Sequence, residues 1–365
     1  MRSGGLFALV VLACGCSSSS APGTAGDSGV QDSSVDSSPG MDSGATDGGG
    51  VDVKTADVQA PDASDGGCMR AGGDGGCILV LAANQNAPAG LAVDSQYVYW
   101  TLDEADGGVF RVPIGGGAVT TIAAAQPEPA GVAVSATHVY WINAGNNALM
   151  SAPLDGGPVA PLDYTLTTPQ YLVIDATSAY VSTGGGSVIA YPLAGAAPTV
   201  VVASGQQQPG ALAVDDTSVY WADSAGPSSI LSAPKSGVPE GGAPTVLATG
   251  ENQPFSIALD ATRVYWTAVG SSSVRAAPKS GVVDGGSPTV VATGVNTPAG
   301  IAVDGVNVYF TSDTGAGAVL LVPLAGGTPS TFAAGQGYAN TIVLDPQNVY
   351  WVDFSSTGAV FQAGK

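Results

Sequence analysis

The stretch PAGLAVDSQYVYWT, residues 88–101, joins an apolar run that ends in Asp to an aromatic run, and this pair of runs recurs along the chain. The first run starts seven times, at Pro88, Pro129, Pro169, Pro209, Pro254, Pro298 and Ala339. All five tryptophans share one position of the second run: Trp100, Trp141, Trp221, Trp266 and Trp351. A period of about 40 residues indicates a repeat protein in which each copy forms one small structural unit.

Each repeat contains four segments with the composition of short strands. The aromatic run is followed by a loop of Gly, Ser and Asp, a third apolar segment such as GVFRVP (residues 108–113), a glycine-rich turn and a fourth apolar segment such as TVVVAS (residues 199–204). Short strands separated by such turn residues form antiparallel hairpins. Because a repeated four-stranded sheet is the blade of a β-propeller, the sequence predicts an all-β, seven-bladed β-propeller over residues 77–365. We name the strands of each blade a, b, c and d in chain order.

The seventh repeat reaches the end of the chain at Lys365 after only three strands. The missing d strand is predicted at CILVLA, residues 77–82, which precedes the first repeat and is followed by a connection like those between the other repeats. The N-terminal strand would then complete the last blade and leave no long exposed sheet edge at this junction.

Residues 1–16, MRSGGLFALVVLACGC, have the order of an export signal: one basic residue, an apolar run and then small residues. The ending resembles the lipobox of bacterial lipoproteins, which implies that a cysteine is acylated and becomes the mature N-terminus. Cys16 is the predicted site, with Cys14 as the alternative, and an ordinary secretory signal is the other reading. The expectation is an exported lipoprotein at the outer membrane or cell surface, held to the membrane only by its N-terminal lipid anchor.

Residues 17–76 are rich in Asp, Ser and Gly and poor in apolar side chains. Such a composition predicts a disordered acidic tether. Cys68 and Cys77 flank a glycine-rich stretch, so a disulfide between them is expected in an exported protein. The net charge of −20 disfavours nucleic acid as a partner.

The PAGLAVD and VYWTA strings resemble NHL repeats and the YWTD repeats of low-density lipoprotein receptor propellers, and this resemblance covers residues 77–365. YWTD propellers have six blades, whereas this chain has seven copies of the motif. Among seven-bladed relatives with similar repeats, virginiamycin B lyase uses histidine and a metal on its open face. This chain has a single histidine, His138, so the resemblance implies no such ligand set here.

An aspartate closes strand a in six of the seven repeats, with Ser135 as the exception: Asp94, Asp175, Asp215, Asp260, Asp304 and Asp345. Recurrence in every blade favours a structural role, in which the carboxylate accepts hydrogen bonds from backbone N–H groups of the following turn. A ring of cation ligands is the alternative.

The loops between strands b and c and the connections between strands d and a are expected to share one rim of the propeller and to carry its binding residues. The candidates are Asp103, Asn143, Tyr171, Asp223, Phe255, Asp313, Tyr338 and Asp353. Amides, carboxylates and aromatic rings around a central mouth suit a sugar, a peptide or a cation.

The sequence shows no catalytic constellation and predicts no cofactor, with a divalent cation as an open alternative. The favoured function is therefore a non-enzymatic binding or scaffold propeller, expected to be a monomer, that presents this rim to a protein, peptide or glycan partner. The alternative is a metal-assisted lyase or lactonase-like enzyme in which acidic rim residues hold the metal ion.

Overall fold

The structure is a computed structural model that describes residues 68–70, 77–194, 198–282 and 286–365, with side chains from residue 77 onward. The described residues form seven antiparallel sheets, six with four strands and one with five. Strand a of each blade contacts strand a of the next, and the seventh contacts the first, so the ring is closed. The predicted all-β, seven-bladed propeller is confirmed. The predicted lipidation site Cys16 and nearly all of the predicted tether lie outside the described residues.

The strands follow one another in the order a, b, c, d within each blade. Two strands precede blade 1: β1 (Cys68–Arg70) and β2 (Cys77–Gln85). Blade 1 contains β3 (Pro88–Val93), β4 (Tyr97–Leu102), β5 (Gly107–Pro113) and β6 (Thr120–Gln126). Blade 2 contains β7 (Pro129–Val134), β8 (His138–Asn143), β9 (Ala148–Pro153) and β10 (Ala160–Asp163). Blade 3 contains β11 (Pro169–Ile174), β12 (Ser178–Thr183), β13 (Ser187–Pro192) and β14 (Val200–Ala203).

The remaining blades repeat this arrangement. Blade 4 contains β15 (Pro209–Val214), β16 (Ser218–Asp223), β17 (Ser229–Pro234) and β18 (Thr245–Thr249). Blade 5 contains β19 (Pro254–Leu259), β20 (Arg263–Ala268), β21 (Ser273–Pro278) and β22 (Thr289–Thr293). Blade 6 contains β23 (Pro298–Val303), β24 (Asn307–Ser312), β25 (Ala318–Pro323) and β26 (Ser330–Ala334), and blade 7 contains β27 (Ala339–Leu344), β28 (Asn348–Asp353) and β29 (Gly358–Gly364). Short 3-10 turns occupy Ala144–Asn146 and Val269–Ser271, and no helix of the described residues is long and apolar enough to cross a membrane.

The ring closes as the sequence predicts, because β2 pairs with β29 and supplies strand d of blade 7. β1 then adds a fifth strand along β2, which the sequence pattern did not predict. Cys77, the first residue of β2, is disulfide-bonded. Its expected partner, Cys68, has a side chain that lies outside the described residues.

Neighbouring blades are held together by the aromatic side chains of strand b. Trp100 is fully buried and packs in one apolar cluster with Leu81 and Tyr350 of blade 7. Tyr99, one residue earlier, packs in a different cluster with Val132 of blade 2. Since successive side chains of a strand point to opposite faces, the b strand sends one large ring into the seam on either side of its blade in six of the seven blades, and Val181 replaces one of the two rings in blade 3.

The indole N–H of each buried tryptophan needs a hydrogen-bond acceptor, and the residue three positions before strand a supplies it in four blades. The pairs are Trp100 with Gln85 at 3.0 Å, Trp141 with Gln126 at 3.1 Å, Trp266 with Glu251 at 2.9 Å and Trp351 with Gln336 at 3.0 Å. In the two blades without tryptophan, strand b carries Val181 or Phe310 and the matching residue is apolar, Leu166 or Val295, each of them buried. The residue three positions before strand a is therefore polar only in blades where strand b carries a tryptophan.

Threonine hydroxyls link adjacent blades close to the axis. Thr101 Oγ1 accepts from the N–H of Gly90 at 2.9 Å and donates to the carbonyl of Ala130 in blade 2 at 2.6 Å. Thr267 and Thr311 make the same pair of bonds in blades 5 and 6. Thr341 joins blade 7 to blade 1 by donating to the carbonyl of Ala89 at 2.8 Å. These bonds run around the circumference and satisfy backbone groups that the blade's own ladder leaves unpaired.

The outer edges of blades 3, 4 and 5 are covered by the cd turn of the following blade. The N–H of Val238 donates to the carbonyl of Val202 at 2.9 Å, and Val282 and Gly327 make the equivalent bonds to Leu247 and Val291. The added contact occupies one acceptor of an otherwise open edge strand, which limits pairing with another chain.

The pairing of tryptophan with glutamine predicts a strong coupling at blade 7. Gln336→Leu leaves the buried N–H of Trp351 without an acceptor and should lower the free energy of unfolding by about 1–3 kcal/mol. Trp351→Phe in the same chain removes that N–H, so the double variant should lose less than the sum of the two single losses. Urea denaturation of the three variants measures the difference. The exposed Gln347→Leu is the control and should change the free energy by less than about 0.5 kcal/mol, and additive losses in the double variant would refute the pairing.

Candidate binding rim

The bc loops and the da connections lie at the same end of the ring, as the sequence predicts. The N–H of Asp103, in a bc loop, donates to the carbonyl of Ala87, in a da connection, at 3.0 Å, and the N–H of Glu128 donates to the carbonyl of Glu104 at 2.8 Å. The ab and cd turns lie at the other end, where the N–H of Ile114 bonds to the carbonyl of Gln96. We call the first end the acidic rim and the second the opposite rim.

The aspartates that close strand a cap turns at the opposite rim. Asp94 Oδ1 accepts from the N–H groups of Gln96 and Tyr97 at 2.7 Å, and Asp94 Oδ2 accepts from the hydroxyl of Tyr99 at 2.7 Å. The full set of bonds recurs at Asp175, Asp215, Asp260 and Asp345. The turn-capping interpretation is confirmed.

Lysines of the opposite rim are already paired. Lys235 contacts Asp175 at 2.8 Å, Lys279 contacts Asp215 at 2.9 Å, and Lys365 contacts Asp304 at 3.2 Å. Each pair joins one blade to the preceding blade. These cations therefore contribute to the contact between blades rather than to a free basic patch.

At the acidic rim, by contrast, most carboxylates have no described basic side chain beside them. Its loops and strand ends carry Asp103, Glu104, Asp106, Glu128, Asp223, Glu251, Asp313 and Asp353. Among the described side chains the basic group nearest to them is Arg275, which is bound to Glu251 at 2.8 Å. The other described arginines, Arg111 and Arg263, lie toward the opposite rim, where Arg111 bonds to the carbonyl of Leu154 in a cd turn. The opposite rim also carries carboxylates, but most of the described basic side chains lie there with them, so the acidic rim has the greater excess of negative charge.

Three of the predicted rim carboxylates are held in surroundings that favour their protonated form. Burial raises the pKa of Asp103, and the charge of Glu128 raises it further. Burial raises the pKa of Asp223. Burial also raises the pKa of Asp313, a hydrogen bond from Asn340 at 3.2 Å lowers it, and the charge of Asp353 raises it. The described residues provide no opposite charge close to these three carboxylates, and a cationic ligand would supply one.

The structure brings Asp313, Tyr338 and Asp353 together between blades 6 and 7. Asp313 and Tyr338 form an isolated backbone bridge, and Asp353 Oδ1 accepts from the N–H of Tyr338 at 3.0 Å. Tyr338 is 48% exposed, so an aromatic surface lies beside two carboxylates. The sequence analysis missed Asn340, which holds Asp313. A polar residue at the second position of strand a, where most repeats have a small or apolar one, was the available signal.

Tyr171 and Phe255 lie in the innermost strands β11 and β19 rather than in loops. Tyr171 is 6% exposed, and its hydroxyl donates to the carbonyl of Phe255 at 3.4 Å, two blades away. The ring lies against Gly210, where a Cβ atom would be 3.5 Å from Tyr171 Cε2. Tyr171 is therefore buried inside the ring and does not form exposed rim surface, whereas Phe255 is half-buried.

Asn143 and Asp223 occupy the same position, the last residue of strand b, in blades 2 and 4, and both are buried. Among the described residues, their Oδ1 atoms and the Trp221 indole nitrogen have no hydrogen-bond partner. No group of three or more His, Cys, Asp or Glu side chains in the described ranges is arranged to hold a metal ion. His138 lies at the start of strand b near the opposite rim, with Nδ1 2.9 Å from Thr137 Oγ1.

Comparison with known proteins places the chain by its fold. No protein-family model matches it, and no curated protein matches its sequence. Solved structures do match: a streptogramin B lyase has a TM-score of 0.64 and 11% identity over 79% of this chain and 97% of that one. A catalytically inactive virginiamycin B lyase from Staphylococcus aureus with quinupristin has a TM-score of 0.63 and 12% identity over 79% and 98%. A gluconolactonase from Xanthomonas campestris has a TM-score of 0.51 and 16% identity over 84% and 93%.

Identities this low show a shared fold and carry no activity with them. The chain is similar to these propellers in architecture, and its function must be argued from its own rim.

The pKa directions predict opposite pH effects at the two rims. The pKa of Asp313 is raised in the folded protein, so the protonated carboxyl stabilises the fold relative to the charged one. This contribution to stability is fully present below the usual pKa of 3.8 and is lost as the pH rises through the folded pKa. Asp313→Asn should therefore increase the free energy of unfolding at pH 7 and change it little at pH 3.

Asp345 serves as the matched comparison. Burial alone would raise its pKa, but hydrogen bonds from Tyr350 and from the N–H groups of Gln347 and Asn348 outweigh this and lower it. Its stabilisation is present above the unfolded pKa and is lost as the pH falls through the folded pKa. Asp345→Asn should destabilise the protein at pH 7, with a loss that shrinks as the pH falls. Chemical denaturation of both variants at the two pH values tests the signs, and a loss of stability in Asp313→Asn at pH 7 would contradict the burial argument.

Proposed function

We propose that this chain is a non-enzymatic binding propeller whose acidic rim engages a positively charged segment of a protein or peptide partner. The observation that carries the proposal is the uneven distribution of basic side chains between the two ends of the ring. At the opposite rim lysines pair with aspartates, whereas at the acidic rim Asp103, Asp313 and Asp353 have no basic neighbour among the described residues. Partly desolvated carboxylates gain when a cation arrives, because the ligand supplies the missing opposite charge.

A polypeptide fits this rim better than a small uncharged ligand. The acidic groups are distributed over blades 1, 2, 4, 6 and 7 rather than gathered in one pocket. A surface with dispersed negative charge is suited to an extended basic segment that contacts several blades, and electrostatic attraction would speed the encounter.

The proposal extends to the location of the protein. Residues 1–16 have the pattern of a lipoprotein signal that ends at Cys16. An acyl chain at that cysteine, followed by the acidic segment, would present a monomeric propeller from a bacterial membrane surface. Mass spectrometry of the membrane fraction, with Cys16→Ser as the variant, tests this step. A soluble wild-type protein without an acyl group would refute it.

Titration calorimetry of the full chain with basic peptides tests the binding proposal. A lysine- and arginine-rich peptide should bind at low salt and weaken as salt rises, and an acidic peptide of equal length should not bind. Asp313→Asn and Asp353→Asn should each weaken binding about two- to fivefold, as expected for ion pairs that remain partly accessible to solvent and are worth about 0.2–1 kcal/mol.

Asp155→Asn is the control, because Asp155 is an exposed carboxylate of a cd turn at the opposite rim. It should leave the affinity unchanged. Equal losses in all three variants, or no binding of the basic peptide at low salt, would contradict the proposal. Stabilisation of the wild-type protein by calcium or magnesium ions that is lost in Asp313→Asn would instead favour a metal-assisted enzyme.

A further inference from the structure

The seam between blades 1 and 2 contains a buried amide whose oxygen is not satisfied. Asn143 is 1% exposed, and its Nδ2 donates to Gln126 Oε1 at 3.0 Å. Gln126 Oε1 also accepts from the Trp141 indole, while Gln126 Nε2 donates to the carbonyl of Ala124 at 3.0 Å. This network fixes both amides. Exchanging the nitrogen and oxygen of Gln126 would place donors face to face, and exchanging those of Asn143 would place two acceptors face to face. Asn143 Oδ1 therefore points away from Gln126, and it has no partner among the described residues.

A buried acceptor with no partner in the described protein needs a donor from water or from a ligand, since leaving such a group unpaired costs about 1–3 kcal/mol. The fold places this acceptor at the acidic rim. Asn143 pairs with Pro129 at the start of β7, and the N–H of the next residue, Ala144, donates to the carbonyl of Glu128 at 2.9 Å. The amide thus lies within one residue of the da connection that carries Glu128.

Two carboxylates accompany the amide. Glu128 is exposed and has φ of 50°, and its N–H bonds to the carbonyl of Glu104 in the neighbouring bc loop. Asp103 belongs to the same loop and is half-buried. The N–H of Glu128 bonds to Glu104, the residue that follows Asp103, which brings the two loops together; the charge of Glu128 adds to burial in raising the pKa of the Asp103 carboxyl.

The chemistry of these three groups defines what they would bind. Two carboxylates and an amide oxygen offer only acceptors, so a complementary ligand group must carry donors and a positive charge. A primary ammonium has three N–H donors that can diverge to three acceptors, whereas a guanidinium is planar and prefers two parallel bonds to one carboxylate. The connection also offers an apolar wall at Pro127, whose Cβ lies 3.1 Å from the position that a Cβ on Gly145 would take, and the methylene stem of a lysine can lie along such a surface.

We propose that Asp103, Glu128 and Asn143 form a subsite for the ammonium group of a lysine side chain. The proposal rests on the proposed function, because it assigns one specific contact within the basic partner. A calcium ion is the competing occupant, but it takes six to eight oxygen ligands, and this seam supplies three side chains. A lysine ammonium could instead donate one hydrogen bond to each of the two carboxylates and one to the amide oxygen.

Peptides that differ only at one side chain test the subsite. The full chain is titrated with a short neutral peptide that contains a single lysine, and with the same peptide carrying trimethyl-lysine or arginine. The lysine peptide should bind at least tenfold more tightly than the trimethyl-lysine peptide, because trimethylation keeps the charge and removes all three donors. The preference should disappear in Asn143→Leu, which is similar in size and removes the unsatisfied oxygen, and in Glu128→Gln, which changes an exposed side chain.

Asp353→Asn is the matched control, because it lies at the acidic rim in another blade. It should weaken the lysine and trimethyl-lysine peptides equally and keep the preference. Equal affinity of the wild-type protein for both peptides would overturn the subsite while leaving basic peptides as ligands of the rim. Absence of binding by any basic peptide would reject the subsite and the proposed function together. Thermal stabilisation by calcium that is lost in Glu128→Gln, with displacement of the lysine peptide, would assign the seam to a metal ion and overturn the proposal.

Discussion

The structure depends on the burial of large rings in the seams between sheets that cannot bury themselves. A four-stranded blade has two apolar faces and no helix to cover them, so each face needs another blade. Tryptophan and tyrosine at successive positions of strand b meet this need in both directions, since Trp100 packs toward blade 7 and Tyr99 toward blade 2. The same burial creates a secondary demand, because a buried indole nitrogen needs an acceptor. Gln85, Gln126, Glu251 and Gln336 meet that demand from the da connections.

The need of the buried indoles for hydrogen-bond acceptors connects the core to the acidic rim. The residues that satisfy the indoles lie three positions before strand a, next to the loops that carry the acidic side chains. Gln126 shows the connection most directly, because its one oxygen serves both Trp141 and Asn143. The seam that stabilises the ring therefore also orients the amide proposed to meet a ligand. A change of seam residue in one blade would alter the local chemistry of the rim without altering the architecture of the other blades.

The sequence predicted the architecture well because the features that determine it are local and repeated. Seven starts, five tryptophans at one position and a strand missing from the last repeat were enough to place the blades and the closure of the ring. The strand β1 was missed because three residues in an acidic, glycine-rich segment carry no strand pattern. Tyr171 was assigned to the exposed rim because the sequence does not show that Gly210 leaves room for its ring. The unsatisfied oxygen of Asn143 was also beyond sequence reasoning, since it follows from the orientation of two amides that only the fold brings together.

The entry of the chain at the outer edge of blade 7 has a mechanical consequence. β1 and β2 are the first strands, and β2 is held in the ring by its pairing with β29 at the other end of the chain. Tension applied to the chain ahead of β1 would therefore load the pairing of β1 with β2 and then the junction between β2 and β29, before the axis or either face. That junction is the one place where strands from the two ends of the chain share a sheet. The resistance of the propeller to such tension is accordingly set at the outer edge of blade 7, while the six blades formed from continuous chain remain unloaded until β2 separates from β29.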